Sequence, residues 1–314
     1  MLSSQKALKN LTSQNADGLF EPTDAQMRTQ KRLLLMIYRD VSAVCEKHGL
    51  TLLLGGGSAL GAVRHGGFIP WDDDIDLMLP RADYETLKSV FDRELGDKYA
   101  MQAPNAPGHE ISNLYMKIIL RGTKRLEIQK IGAPGEHGLW VDVFPIEFAP
   151  ENAALRAVKG FFMNALAYLS VSNYLYRFSN PEIRAYMAQS RAVRINDRLR
   201  RTLGFLTAWA DYRTLYNLFD RVSRGKRETG VITVPTGIRH YAGETHPARD
   251  YFPPAKARFE GGDALVPGNA RAYLTGLYGP DYMTPPPPEK RERHFYVTLD
   301  FGAYADESQA ESAE

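Results

Sequence analysis

Four aspartates fall within five positions in Trp71-Asp72-Asp73-Asp74-Ile75-Asp76, and an apolar alternation follows them directly. Like charges at that density repel one another, so the cluster is unfavourable unless water or a cation offsets it. Asp74 and Asp76 lie two apart, with Ile75, Leu77 and Leu79 at the intervening positions. In a strand, residues two apart share a face. The spacing predicts a strand over 75–79 that buries its aliphatic side chains and aims two carboxylates at one point. Hard cations such as Mg²⁺ take oxygen ligands of this kind, usually one or two carboxylates together with substrate phosphates. The pattern reads as a platform for metal-assisted phosphoryl transfer.

Two blander readings compete. An acidic surface turn accounts for Asp72 and Asp73 taken alone, but a turn has no use for a period-two apolar face. A calcium loop with Asp72, Asp74 and Asp76 as first, third and fifth ligands needs glycine at its sixth position and glutamate at its last. Leu77 and Asp83 stand there. Of the four aspartates, Asp73 reads as the most expendable.

Upstream, Gly55-Gly56-Gly57-Ser58 follows a short apolar run at 50–54 and opens a helix near Ser58. Glycines at such a turn let the backbone approach a phosphate, and a helix N-terminus presents free N–H groups. Gly56 and Gly61 have P-loop spacing, but Ala62 and Val63 occupy the Lys and Ser/Thr positions. The dinucleotide fingerprint fails at Leu60. Asp142 interrupts the apolar run Trp140-Val141-Asp142-Val143-Phe144. An unpaired buried carboxylate is costly, so Asp142 is a third metal ligand, a base, or a structurally satisfied acid. Arg64, His65 and Lys117 are candidate cations for a diphosphate, or ordinary surface charges.

A chain of 314 residues can bury a substantial core. Cys45 is the sole cysteine, which excludes an intramolecular disulfide and a cysteine-cluster zinc site. No signal-like apolar segment opens the sequence and no stretch spans a bilayer, so the expected location is cytoplasmic, with peripheral contact at the inner face of the membrane. The net charge of +2 conceals an asymmetry: residues 151–230 carry 14 Lys+Arg against 6 Asp+Glu.

The sequence divides into a flexible segment (1–22), an α/β catalytic core (23–150), a basic helical insertion (151–230), a segment that completes the catalytic domain (231–300) and a disordered tail (301–314). Within the core the order is helix, strand, helix, strand, helix (82–95), then strands near 114–120 and 139–144.

The block from Leu53 to Asp76, with Gly55-Gly56-Gly57-Ser58 and Trp71-Asp72-Asp73-Asp74-Ile75-Asp76, strongly resembles the LicD family. That family includes bacterial phosphocholine transferases and is related to fukutin-type ribitol-phosphate transferases. The resemblance continues at Val141-Asp142-Val143-Phe144-Pro145-Ile146. It resumes in Tyr251-Phe252-Pro253, Phe259-Glu260-Gly261, Leu277-Tyr278-Gly279 and His294. It implies an α/β (α+β) nucleotidyltransferase-like mixed sheet flanked by helices, with the helical insertion lying outside the match. It also implies Mg²⁺ (or Mn²⁺) held by Asp74, Asp76 and Asp142, with Asp72 in the same motif as proton acceptor, neighbour or ligand. Gly56, Gly57 and Ser58 would cradle donor phosphate. The zinc-binding insertion of some fukutin-related members has no counterpart here.

The implied reaction moves a phospho-alcohol, phosphocholine foremost, from a CDP-activated donor such as CDP-choline to a hydroxyl of a cell-surface glycan (lipopolysaccharide, teichoic acid or similar), releasing CMP. The acceptor is expected to be lipid-linked, and Trp71, Trp140 and Tyr115 are aromatic candidates for a quaternary ammonium. The rivals are a nucleotidyltransferase releasing pyrophosphate and a non-catalytic scaffold or regulator of glycan modification. In 151–230, aromatic residues interleave with Arg177, Arg184, Arg191, Arg194, Arg198, Arg200 and Arg201. This is a peripheral membrane surface, or a helical subdomain with an apolar core and a solvated basic face, or an anionic-acceptor groove; nucleic acid is not expected as a partner.

Overall fold

The computed structural model describes residues 20–127, 130–178, 191–291 and 295–305. His294, Arg184 and the side chain of Arg191 lie outside the described residues.

Helix α1 (Asp24–Lys47) starts where Thr23 accepts from the Gln26 N–H while the Gln26 side chain accepts from the Thr23 N–H, a reciprocal cap. Its buried stripe includes Leu33, Leu34, Ile37, Val41 and Val44, spaced three and four apart. Gly49, at φ +66°, turns the chain back as its position after the helix predicts. The expected strand at 50–54 shortens to β1 (Leu53–Leu54), and α2 (Gly56–His65) follows at once. Next come β2 (Asp76–Pro80), α3 (Arg81–Glu94), β3 (Tyr99–Gln102), β4 (Met116–Leu120), β5 (Lys124–Glu127) and β6 (Trp140–Phe148).

The central sheet is mixed, as the α/β reading requires. Its strand order is β1-β2-β6-β4-β3, with β2 and β6 parallel and the other neighbours antiparallel. β6 runs past residue 144, where the expected strand stops, because its far end pairs with β7 (Val231–Thr233) through Glu147 and Phe148. Everything between these strands leaves the sheet and returns to it. That excursion is the helical insertion: α4 (Ala153–Arg177), α5 (Arg191–Leu206) and α6 (Tyr212–Ser223). It is fastened to the core by buried charge: Arg81 on α3 bonds Glu147 of β6 and reaches Asp220 of α6 at 2.8 Å.

After β7 the chain forms α7 (His240–Gly243), β8 (His246–Pro247), the hairpin β9 (Ala255–Phe259) and β10 (Gly262–Val266), α8 (Ala270–Tyr278) and β11 (Tyr296–Asp300). β11 pairs with β5. The boundaries drawn at residues 22 and 301 fall inside packed structure. Phe20 bridges Tyr296, Phe301 is buried, and Arg32 donates to the Tyr304 carbonyl at 2.8 Å.

Candidate active site

Four neighbouring strands set a polar row across the sheet. Asp76 on β2 lies opposite Asp142 on β6, Asp142 lies opposite Lys117 on β4, and Lys117 lies opposite Gln102 on β3. Lys117 Nζ donates to Asp142 Oδ1 at 2.7 Å. The adjacent row (Leu77, Val143, Met116) faces the core and is fully buried. Period-two alternation on each strand thus separates the polar face from the core.

The ladder starts at Asp76, so Asp74 precedes the strand rather than sharing it. The peptide groups before it are claimed by side chains. Gln30 donates to the Asp73 carbonyl at 2.8 Å and Arg125 to the same oxygen at 3.2 Å. Lys31 clamps the preceding turn through the carbonyls of Ile69 and Pro70, at 3.0 and 2.9 Å. Even so, Asp74 stays near Asp76. Burial and the charges of Asp74, Asp142 and Asp72, in that order, push the Asp76 carboxyl well above the ordinary range. Carboxylate oxygens of Asp72, Asp73 and Asp74 come within 4.8 Å of one another.

Asp73, expendable by sequence, is a structural centre. It is 2% exposed, accepts a hydrogen bond from Tyr296, and faces Arg125 at 3.8 Å. Extending the alternation one step back from Ile75 puts Asp73 on the inward face, and that signal was legible. Its counter-charge was not, since Arg125 sits in Lys124-Arg125-Leu126-Glu127, which has the look of a surface strand.

The glycines of α2 serve the aspartates directly. A Cβ on Gly56 would lie 2.5 Å from Asp76 Oδ2, and one on Gly57 would lie 2.8 Å from Asp72 Oδ2. Gly57 N–H donates to the Asp76 carboxylate, and Ser58 Oγ accepts from the Asp76 N–H at 2.9 Å. Gly56 N–H donates to the Tyr273 hydroxyl at 2.8 Å. The turn that resembles a phosphate cradle therefore holds the acidic strand against the helix, and α8 buttresses it through Tyr273.

Arg64 donates to His65 Nε2 at 2.9 Å and to the Tyr282 carbonyl at 2.8 Å. Burial, then Arg64 and Lys31, lower the His65 pKa, which favours the neutral imidazole. The Trp71 ring meets Arg64 at 5.9 Å and Arg291 at 4.2 Å. Trp140, on the face of Asp142, meets Lys117 at 3.9 Å and Arg125 at 4.0 Å. Both indoles thus stack cations supplied by the protein, while Tyr115 packs on Phe144 at 4.4 Å. A further amine was missed by sequence. Lys130 donates to the Ser112 carbonyl at 2.8 Å, and burial together with Lys117 lowers its pKa to about 7.

A mixed α/β sheet that carries opposed aspartates and a lysine on its central strands, backed by a glycine turn, defines a domain built to manage concentrated negative charge. Residues 49–152 match the family model described as LicD/FKTN/FKRP, nucleotidyltransferase domain. It is 41% identical over 76 residues to the lipopolysaccharide cholinephosphotransferase LicD of Haemophilus influenzae, covering 24% of this chain and 29% of that protein. It is 42% identical over 65 residues to the ribitol 5-phosphate transferases FKRP of mouse and human, covering 21% of this chain and 13% of each relative. The matched segments therefore span less than a third of these relatives. No helix among the described residues is long and apolar enough to cross a membrane.

Proposed function

We propose that this chain transfers a phospho-alcohol, phosphocholine foremost, from a CDP-linked donor to a hydroxyl of a glycan, releasing CMP. The carrying observation is the row Asp76, Asp142, Lys117, with Asp74 and Asp72 close enough to raise the Asp76 pKa. Relatives named for cholinephosphate and ribitol 5-phosphate transfer support the class of group that moves.

The donor set suits a hard dication, because a half-buried carboxylate crowded by three others is stabilised most by positive charge. Asp74, Asp76 and Asp142 would hold Mg²⁺ or Mn²⁺, which when bound neutralises charge on the pyrophosphate oxygens. The chain's own groups do the rest. Asp72, beside Gly57, receives the proton of the attacking hydroxyl, while Asp142 is less suited because Lys117 holds its oxygen. Lys117 and Arg64 orient the diphosphate for in-line displacement. Gly56 and Gly57 leave room for the carboxylates that face the donor, and Tyr115 with Phe144 supplies an aromatic wall for the alcohol.

Incubation with Mg²⁺ and either CDP-choline, another CDP-alcohol or CTP tests the reading. CMP release from a CDP-alcohol that requires a glycan acceptor is expected. Pyrophosphate release from CTP would sink it in favour of nucleotidyl transfer.

A further inference from the structure

Of the large apolar side chains that stand exposed among the described residues, most lie in the helical insertion, and four of them are on α5. Ile195, Leu199 and Leu206 are 59%, 50% and 60% exposed. Their spacings of four and seven place them on one stripe. Arg194, Arg198 and Arg201 are exposed along one flank of that stripe, with Phe205 beside them. Trp209, 86% exposed, extends the apolar surface just beyond the helix.

The opposite side of α5 is spent on packing. Asn196 accepts from Tyr168 at 2.8 Å, Arg200 stacks on the Tyr168 ring at 4.5 Å, and Gly204 fits against Tyr176 and the Ser172 carbonyl. Arg177 is likewise engaged internally, donating to the Ala208 and Ala210 carbonyls at 2.7 Å. The arginines of the insertion thus fall into two sets, one bound inside and one presented beside apolar residues.

We propose that the outer face of α5, continued by Trp209, docks on an anionic membrane surface. A stripe of aliphatic side chains flanked by arginine, with tryptophan at its end, matches the depth profile of a bilayer interface. The apolar groups enter the acyl boundary and the guanidinium groups meet head-group phosphates. A second copy of the chain is a poor occupant, since a two-fold contact through this stripe would bring three arginines against three. The acid on this helix, Asp197, pairs with Arg201 at 3.9 Å, so it offsets one of the three flank charges and leaves the flank net positive. The Arg81–Asp220 tie fixes α6, and α6 and α5 both pack on α4, so the face has a set orientation to the catalytic sheet.

Co-sedimentation with vesicles of phosphatidylcholine, alone or mixed with phosphatidylglycerol, tests this with the full chain. Binding is expected to the mixed vesicles at low salt and to weaken at high salt. A triple variant (Arg194→Glu, Arg198→Glu, Arg201→Glu) should lower partitioning by about tenfold or more. Leu199→Asp with Trp209→Ser should do the same, while circular dichroism and the thermal midpoint stay at the parental values because these side chains are exposed. Absence of vesicle binding at low salt, or binding that both variants leave unchanged, would overturn the proposal. So would a concentration-dependent dimer abolished by Leu199→Asp in a protein that ignores vesicles. Because the readout is partitioning, its failure leaves the transferase reading to its own assay.

Discussion

Arg125 lies 3.8 Å from the carboxylate of Asp73, and both residues are 2% exposed. The pair stands directly behind the acidic platform, since Arg125 also donates to the Asp73 carbonyl at 3.2 Å and stacks on Trp140 at 4.0 Å. It ties β5 to the aspartate turn and puts a fixed positive charge near Asp74. Removing one partner of a buried ion pair leaves the other uncompensated, at a cost of about 3–5 kcal/mol. Asp73→Ala and Arg125→Ala should each lose stability on that scale in urea denaturation. The double variant should lose much less than their sum, and strict additivity would show that the two charges act independently.

The glycine turn gives a local contrast. Gly56→Ala and Gly57→Ala push a methyl into Asp76 and Asp72, at 2.5 and 2.8 Å from their oxygens, and Gly56 also sits at φ +44°. Gly66 has φ +69° but meets nothing within 4 Å, so alanine there adds only the left-handed strain of about 1 kcal/mol. Transferase assays should find turnover down by about a hundredfold or more for the first two, as expected from misplacing a reacting group by about 1 Å. Gly66→Ala should stay near parental activity. Equal losses at Gly56 and Gly66, with Gly57→Ala near parental, would mean that backbone strain, not crowding of the carboxylates, is what matters.

Much of this site is written in short-range spacing, and what escaped the sequence depends on contacts between distant segments. Asp74-Ile75-Asp76-Leu77 announces its two faces by alternation alone, and Asp142 stands out because an acid interrupts an apolar run. The same alternation carried back to Asp73 foretells a buried acid, but not that Arg125 and Tyr296 meet it from 52 and 223 residues away. Gly56 and Gly57 are visible as a turn. Their neighbours are not, so a phosphate cradle and a carboxylate seat look alike until β2 is placed beside α2. The strand limits moved for a similar reason: β6 lengthens only because β7 returns to pair with it.

Glu244 provides a stability signature away from the chemistry. Burial raises its carboxyl from 4.5 to about 7, against the opposing effect of the hydrogen bond from the Arg239 N–H. The unfolded chain gives up this proton near 4.5 and the folded chain keeps it to about 7. The folded state therefore binds the extra proton in that window. Its stability falls as pH rises through the window and is lowest, for this group, above it. Glu244→Gln keeps an acceptor for the Arg239 N–H and carries no charge. It should flatten the pH dependence and raise stability at mildly alkaline pH by about 3 kcal/mol. Urea titrations across this range check it, and an unchanged slope would assign the dependence to other groups.

Asp76 and Asp142 face each other in register, and that opposition separates a role in stability from a role in binding. In the chain without a cation, ionised Asp76 is held among like charges, so Asp76→Asn should leave stability unchanged or raise it. Asp142→Asn weakens the contact with Lys117 at 2.7 Å but also relieves Asp76, so its stability should change little. Addition of Mg²⁺ should stabilise the parental chain by about 2.7 kcal/mol at a hundred times its dissociation constant. Both variants should lose most of that increment together with transferase activity. Thermal melts with and without Mg²⁺ distinguish this from simple unfolding, because a variant that folds as well as its parent yet ignores the ion has lost a ligand. If Asp142→Asn keeps the full Mg²⁺ increment while losing activity, Asp142 holds Lys117 toward the donor, and the metal rests on Asp76 and Asp74.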